Sequence, residues 1–327
     1  MDNGSNNCMD TIYTKRILVT GGAGFIGSTF LNQMTVAYPG YLFVNLDALT
    51  PVANITNVVV ADAPNYVFVE GDIRDSALLQ KLHATYTFTD IIHFAAETHV
   101  DVSIEDPLRF IETNVLGTGT LLSFALEHTL NRFLHVSTDE VYGALEETDP
   151  SFTEETPLAP NSPYSASKAG SDMLVRAYHK TYGLDVVITR CSNNFGPRQD
   201  VTKFIPRAIT SLLRGESIPV YGKGAQVRDW LYVDDHVRGI DIAFHHGVSG
   251  EVYNIGGGTE IPNIEIAQLL TNMLGKPDAI TFVEDRKGHD FRYSIDDTKI
   301  RALGYTPQMP FTEGLKKTVS WYEEQRH

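Results

Sequence analysis

The sequence predicts an α/β protein, a doubly wound parallel sheet with a smaller mixed α/β substrate-binding domain. Three observations predict it. Short apolar runs alternate with stretches of helical periodicity from Arg16 to Arg190, the pattern of parallel strands joined by crossover helices. A glycine-rich turn from Gly21 to Gly27 lies directly between the first apolar run and the first helical stretch. After Arg190 the character changes, to a turn-rich Cys191-Ser192-Asn193-Asn194-Phe195-Gly196-Pro197 and then a mixture of short strands and helices.

Taken in order, Arg16 to Thr20 reads as a strand, and Phe25 and Ile26 open a helical pattern that runs to about Ala37. Between them Gly21, Gly24 and Gly27 make GxxGxxG. Glycines permit a tight turn and a close approach of backbone to a pyrophosphate, which a helix N-terminus attracts. Tyr41 to Leu46 reads as a second strand ending at Asp47. An acid there accepts hydrogen bonds from both ribose hydroxyls and repels a 2′-phosphate, which favours NAD over NADP; the plainer role is a turn or cap residue. Together these make a Rossmann-type fingerprint. Tyr66 to Glu70 is a third strand, followed by Gly71-Asp72-Ile73, where Asp72 at the strand's C-terminal end suits adenine, with a helix cap nearly as good a reading of the spacing. Asp90 to Phe94 is a fourth, followed by Ala95 and Ala96, small enough for a cofactor or for tight packing. Pro107 to about Thr129 is a long helical stretch, Arg132 to Ser137 a fifth strand, Tyr164 to Tyr182 a helix and Asp185 to Arg190 a sixth strand. Right-handed crossovers put the six strand ends on one edge, where open α/β sheets bind ligands.

Two clusters then carry chemistry. Thr138, Asp139 and Glu140 follow the fifth strand at its C-terminal end. Tyr164 and Lys168 are four apart, on one face of a helix. An ammonium beside a phenol favours the phenolate and lowers its reference pKa of about 10, giving a base usable near neutral pH. Taken alone, the first cluster could be a solvated acid pair and the second a surface Tyr and Lys.

Beyond Arg190, Phe204 to Arg214 is helical, Ile218 to Tyr221 a short edge strand, and Val227 to Val233 a strand followed by helix to about His246. Glu251 to Ile255 is strand-like and ends at Gly256 to Gly258; helices follow at Ile264 to Leu274 and Phe311 to Gln325. His245 and His246 read as a solvated helix end, and no Cys/His cluster has ligand spacing, so no metal is expected.

Composition bounds the class. The 327 residues are 42% hydrophobic and 20% charged, ordinary for a globular enzyme. A formal charge of −15, from 26 Lys and Arg against 41 Asp and Glu, argues against a nucleic-acid or anionic-membrane surface. The two cysteines, Cys8 and Cys191, suit a reduced compartment without a disulfide. Met1 to Thr14 lacks the basic and apolar regions of a signal peptide and reads as a disordered tail, and no apolar run approaches the length of a membrane span. The expected location is the cytoplasm.

These residues together resemble the extended short-chain dehydrogenase/reductase superfamily, through Thr20 to Gly27, Asp47, Gly71-Asp72-Ile73 and Tyr164 with Lys168. Within it the chain is similar to the nucleotide-sugar 4,6-dehydratases, closest to those acting on dTDP-glucose, through Ser137-Thr138-Asp139-Glu140-Val141-Tyr142-Gly143. Further matches are Glu97-Thr98-His99-Val100-Asp101, Ser192 to Pro197, Arg228-Asp229-Trp230-Leu231-Tyr232 and Arg286-Lys287-Gly288-His289-Asp290. Related 4-epimerases carry small neutral residues where Asp139 and Glu140 stand.

The resemblance implies a reaction and a site. Tyr164 takes the proton of the sugar 4-hydroxyl while C4 gives hydride to NAD, and hydride later returns to C6. The ketone acidifies the C5 proton, which Glu140 removes while Asp139 protonates the departing C6 hydroxyl; Thr138 holds the 4-oxygen. NAD contacts are implied for Gly21, Gly24, Phe25, Ile26, Gly27, Asp47, Asp72, Ile73, Phe94, Ala95, Ala96, Thr113, Tyr164, Lys168 and Asn194. Substrate contacts are implied for Thr98, Thr138, Asn193, Lys203, Phe204, Pro219, Tyr221, Arg228, Asn263, Asp285 and His289. Among these, Asn193 and Arg228 suit a diphosphate, Arg by its planar fork, and Tyr221 a pyrimidine. The chain departs from the family pattern at Ala48, at Thr50-Pro51-Val52-Ala53-Asn54 and at Thr202. The implied division is a tail over 1–14, an NAD-binding domain over 15–190 plus about 228–258, and a nucleotide-sugar-binding domain over about 191–227 plus 259–327. The family also implies a homodimer, in which Pro107 to Thr129 and Tyr164 to Tyr182 pair with their copies as a four-helix bundle. Leu121, Leu122 and Met173 are outward candidates for it, or else core. Alternatives are the same chemistry on UDP-glucose, a 4-epimerase, and a non-catalytic NAD-binding regulator. Plant-type UDP-glucose dehydratases typically have Arg-Ser-Tyr-Leu-Tyr where this chain has Arg228-Asp229-Trp230-Leu231-Tyr232.

Overall fold

The apolar runs form strands buried on both faces. Ile17 to Thr20 and Leu42 to Asp47 are buried without alternation, as expected where helices cover both sides of a parallel sheet. The structure, a computed structural model, describes residues 13–285 and 290–325. The strands are β1 (Lys15–Thr20), β2 (Tyr41–Asp47), β3 (Tyr66–Glu70), β4 (Asp90–His93), β5 (Arg132–Thr138), β6 (Val186–Cys191), β7 (Asn193–Phe195), β8 (Ile218–Tyr221), β9 (Val227–Tyr232), β10 (Val252–Ile255), β11 (Glu260–Pro262), β12 (Ile280–Val283) and β13 (Arg292–Tyr293). Among the described residues the main sheet has seven strands in the order β10-β6-β5-β4-β1-β2-β3. The pairings from β3 through β2, β1 and β4 to β5 are parallel. The order reverses between β1 and β4, which makes the carboxyl ends of those strands the topological switch point. This is a Rossmann-type α/β fold.

The helices are α1 (Phe25–Ala37), α2 (Ser76–Tyr86), α3 (Val100–Glu105), α4 (Pro107–Phe110), α5 (Thr118–Glu127), α6 (Pro163–Tyr182), α7 (Phe204–Arg214), α8 (Val233–His246), α9 (Asn263–Met273), α10 (Thr298–Arg301) and α11 (Phe311–Glu324). The long helical stretch expected from Pro107 is realised in three pieces, with a π-helical segment at Ile111–Gly117 between α4 and α5. Such segments often mark functional sites, and this one holds Thr113 and Asn114.

The chain divides into two compact units. The first comprises the described residues up to Ser137 with Ser162–Thr189 and Phe244–Val252; the second comprises Thr138–Asn161, Arg190–Ala243 and the described residues from Tyr253 onward. In the first unit Leu18, Leu46, Ile91, Phe133 and Ile188 of the sheet pack with Leu79, Phe124 and Val175 of the helices. Leu121 and Leu122 belong to this core at 0% exposure, so they do not face outward; Met173, at 44%, does. Their spacing cannot separate the two because an amphipathic helix carries apolar residues on its core face and, where it meets another chain, on its outer face as well. In the second unit Ile205, Ile209 and Leu212 of α7, Ile266 and Leu270 of α9, and Leu315 and Val319 of α11 surround Trp230. Pro219 and Tyr221 pair with Thr281 and Val283, in a two-stranded parallel sheet.

The reading of His245 as a solvated helix end is corrected. Its ring stacks on Tyr38 at 5.0 Å, and its Nε2 lies 3.2 Å from the Tyr41 hydroxyl; His246 is exposed. Cys191 is a buried free thiol, and Cys8 and the expected tail through residue 12 lie outside the described residues. Among the described residues no helix is long and apolar enough to cross a membrane, and no group of three or more His, Cys, Asp or Glu could hold a metal ion.

Candidate active site

At the switch point the first glycine is required by sterics. Gly21 has φ +74°, and a Cβ there would lie 2.5 Å from the Ala95 backbone nitrogen. A side chain at Gly27 would collide with the Gly21 carbonyl. Gly24 occupies the N-cap position of α1 with no side-chain hydrogen bond to the first turn. The first-turn N–H groups of α1 are therefore not answered by an N-cap side chain, which suits an anion. Phe25 and Ile26 are half-buried at this end. Asp47 closes the turn from β2, accepting from Ala23 N and Leu49 N at 2.9 Å each. Burial pushes its carboxyl up, and these two N–H groups oppose the shift. The departing segment is tied to the same turn, since Asn54 N donates to Ala23 O at 3.0 Å.

Asp72 is neither buried nor a helix cap. It is bound by Arg74 at 2.7 Å, which holds its carboxyl down, while Asp75 caps α2 by accepting from Leu78 N at 2.9 Å. Ile73 is buried under the π segment, where a Cβ on Gly117 would meet its Cδ1 at 2.5 Å. Phe94 lies ring to ring with Phe30 at 5.3 Å, and Ala95 and Ala96 follow half-buried.

Helix α6 is started sharply, and that fixes its first two turns. Ser162 Oγ accepts from Ser165 N at 3.1 Å, Ser165 Oγ accepts from Ser162 N at 3.0 Å, and Pro163 stands in the first turn. Tyr164 is 8% exposed and Lys168 4%. Tyr164 packs edge-on against Phe110 at 6.3 Å. Lys168 Nζ donates to Val136 O at 2.8 Å and lies 3.5 Å from His135 Nε2. Asn114, beside Thr113, ties α6 to the segment before Thr98. Its Nδ2 donates to Ser167 Oγ at 2.8 Å and Glu97 O at 3.0 Å, and its Oδ1 accepts from Glu97 N at 2.8 Å.

The second unit begins at Thr138, where β5 turns into a short 3₁₀ segment, Asp139–Tyr142. Thr138 Oγ1 accepts from Glu140 N at 3.3 Å and donates to Asp139 Oδ1 at 3.3 Å. Asp139 is 1% exposed, and burial first, then the neighbouring Glu140 and Asp229, push its carboxyl well up. Glu140 is half-buried. Two carboxyls side by side in different environments are how a site separates an acid from a base.

The remaining substrate candidates lie in the second unit. Arg228 is engaged by protein. Its guanidinium donates to Val227 O at 2.7 Å and Asp290 O at 2.9 Å and stacks over Tyr293 at 4.3 Å. Asn194 is engaged likewise, its Nδ2 donating to Ser192 O and its Oδ1 lying 2.9 Å from His236 Nδ1. By contrast Asp139 Oδ2, Asn193 Oδ1 and Asn263 Oδ1 are buried without a hydrogen-bond partner among the described residues. Buried polar atoms normally have partners, so these suit a ligand. Asp285 accepts from Gln226 Nε2 at 2.9 Å, Lys203 stands at the N-cap of α7, and Phe204 lies 6.4 Å from the Trp230 ring. Thr202 bonds Asp200. His289 lies outside the described residues. Sequence reasoning gave no role to His135, Asp172, Asn114 or His236, all buried and polar. For Asp172 a signal was available: an acid one helical turn after Lys168, among apolar positions.

A dTDP-glucose 4,6-dehydratase of Actinoplanes sp. is 50% identical over 319 residues, 95% of this chain and 98% of that one. The dTDP-glucose 4,6-dehydratase DesIV of Streptomyces venezuelae, solved with NAD bound, has a TM-score of 0.92 at 52% identity, covering 95% of this chain and 98% of its own. A UDP-glucose 4-epimerase of Thermotoga maritima has a TM-score of 0.89 at 31% identity, covering 95% and 100%. The profile of the GDP-mannose 4,6 dehydratase family matches residues 18–318, nearly the whole of the two units described above, and the chain belongs to that family.

Proposed function

We propose that the chain is an NAD-dependent hydro-lyase that converts dTDP-glucose to dTDP-4-keto-6-deoxy-glucose. The observation that carries this reading is Asp139, a carboxyl 1% exposed and pushed up by burial, next to the half-buried Glu140. A carboxyl whose proton burial favours, beside a second carboxyl, is what loss of water needs and what a 4-epimerase does not. The dTDP-glucose dehydratases at about 50% identity over nearly the whole chain support the nucleotide.

The turn at Gly21, the start of α1 and Asp47 suit NAD, and the first unit reads as the cofactor unit, the second as the nucleotide-sugar unit. NAD bound there would supply the hydride acceptor for C4 of the glucose and the hydride donor for C6. Tyr164 Oη takes the proton of the 4-hydroxyl, and the Lys168 ammonium, one turn along α6, favours the phenolate. Thr138 Oγ1 holds the 4-oxygen. Once C4 is a ketone, the Glu140 carboxylate takes the C5 proton. Asp139 gives its proton to the C6 hydroxyl, which leaves as water, and Glu140 returns its proton to C5 as hydride reaches C6. Asn193 and Asn263 offer their amide groups to the diphosphate and nucleoside.

This reading includes a homodimer through the helices around Pro107 to Thr129 and Tyr164 to Tyr182. The exposed apolar residues Leu108 (71%), Leu116 (59%), Ile111 (46%) and Met173 (44%) support it, since contiguous apolar surface marks an interface. The cytoplasm, expected from the cysteine usage, is part of the same reading.

The test is incubation with dTDP-glucose and, separately, UDP-glucose, followed by mass spectrometry of the sugar nucleotide. Loss of one water from dTDP-glucose is the expected result. Loss of water from UDP-glucose alone contradicts the nucleotide, an unchanged mass with inverted C4 makes the chain an epimerase, and no turnover of either contradicts the reaction.

A further inference from the structure

We propose that His135 and Asp172 are a buried positioning pair for Lys168, in which the Asp172 carboxylate balances the lysine's charge through the imidazole. The inference rests on Tyr164 and Lys168 acting as the base, and it assigns work to two residues that the proposed reaction leaves unused.

The argument starts from charge. Lys168 is 4% exposed, and a buried ammonium is costly unless an opposite charge and hydrogen bonds compensate it. The Val136 carbonyl, 2.8 Å from Nζ, supplies a hydrogen bond but no charge. Asp172 follows Lys168 by one helical turn on α6 and is fully buried. His135, on β5 and also at 0% exposure, bridges them. Its Nε2 is 3.5 Å from Lys168 Nζ, 3.4 Å from Asp172 Oδ1 and 3.1 Å from Ser171 Oγ. One ring nitrogen therefore meets both a donor and an acceptor. As a lone pair it accepts from Nζ, and as N–H it donates to the Ser171 hydroxyl, with the Asp172 carboxylate at ion-pair distance.

Three other titratable neighbours have partners or roles of their own. His93 of β4, with its ring 5.2 Å from His135, bonds Thr20 and Thr118 through its two nitrogens. Burial first, then the positive fields of His135 and Lys168, hold it neutral. Glu97, the buried acid beside Asn114, is paired with Arg109 at 2.7 Å. Tyr164, one turn earlier on α6, is the partner being served.

The experiment is the pH dependence of the first oxidation, read as NADH absorbance after mixing the NAD-loaded enzyme with dTDP-glucose. Wild type is compared with Asp172→Asn and His135→Gln. Removing a fixed negative charge makes the first proton of the Tyr164–Lys168 pair easier to lose, so in Asp172→Asn the acid limb moves to lower pH by about one unit, with KM within about twofold of wild type. A lowered rate with an unmoved limb would make Asp172 a structural residue and overturn the proposal. A stability cycle covers poor folding of the single variants. Lys168→Met and Asp172→Asn alone should each lower Tm by several degrees, while Lys168→Met/Asp172→Asn recovers most of the loss; additive losses, or a double variant that does not fold, contradict the pairing. Failure of the underlying reading looks different, because Tyr164→Phe would then form NADH at the wild-type rate.

Discussion

The two halves of the proposed chemistry are built in opposite ways. Around α6, Lys168 and Ser167 are tied to Asn114 of the π-helical segment and His135 of β5 in a network of protein hydrogen bonds. In the second unit Asp139 Oδ2, Asn193 Oδ1 and Asn263 Oδ1 are buried without a partner among the described residues. The difference teaches which part is machine and which part is receptor. A base that must hold a phenolate has its support prepaid by neighbours, as preorganised sites do. Polar atoms proposed to meet a sugar nucleotide are left without a protein partner, at a cost to the protein alone.

The largest break in this comparison should come from Tyr164→Phe. The 4-hydroxyl proton then has no acceptor, and every later step needs the ketone. Stopped-flow NADH formation and release of dehydrated sugar should fall together, by about 10²–10⁴-fold. Loss of only one of the two would separate what is joined here.

Asp139→Asn should sharpen the contrast through opposite effects on rate and stability. The proton for the C6 hydroxyl is gone, so turnover drops, by less than in Tyr164→Phe. Stability should move the other way. Asp139 has its carboxyl raised by burial, so the folded state holds that proton more tightly than the unfolded chain does. Stability contributed by such a group is present at low pH and lost as pH rises from about 3.8 through the folded value. Asn carries no such loss, and its Tm should exceed the wild type's at pH 8 by more than at pH 5. Equal differences at both pH values would mean that Asp139 is ionised in the resting protein.

A smaller effect on chemistry separates the two kinds of leucine near α5. Leu121→Ala, in the core at 0% exposure, should cost about 2–5 kcal/mol of unfolding free energy. Leu116→Glu, at 59% exposure, should leave the fold intact and shift sedimentation from dimer to monomer. A stable dimer with Glu at 116 would move the interface elsewhere.

Much of this was legible in the residues. GxxGxxG after an apolar run, with an acid ending the next run, foretells β1, the turn, α1 and Asp47, because backbone sterics leave few residues that can serve there. Tyr164 and Lys168 were legible as neighbours because helical spacing is geometry. What periodicity could not reveal is the partner. It marks Leu121 and Leu122 as apolar but not which apolar neighbour covers them, and His245 as a helix end but not the tyrosine stack that receives it. It shows Arg228 as a cation but not the carbonyls of Val227 and Asp290 that engage it. The π-helical segment that aims Asn114 has no motif, since one extra residue in a turn leaves the local composition unchanged. His135 and Asp172 lie 37 residues apart, and only the fold brings them to Lys168.

The most direct test of the central claim, a base on α6 for C4 and a separate acid–base pair for C5 and C6, is a single turnover of Glu140→Gln. The substitution is nearly isosteric and leaves Tyr164, Lys168 and NAD in place. On mixing with dTDP-glucose, NADH absorbance should appear and persist, with dehydrated sugar released about 10²–10⁴-fold more slowly than by wild type. Full turnover by this variant, or no NADH at all while the protein remains folded and NAD-loaded, would contradict the division of labour.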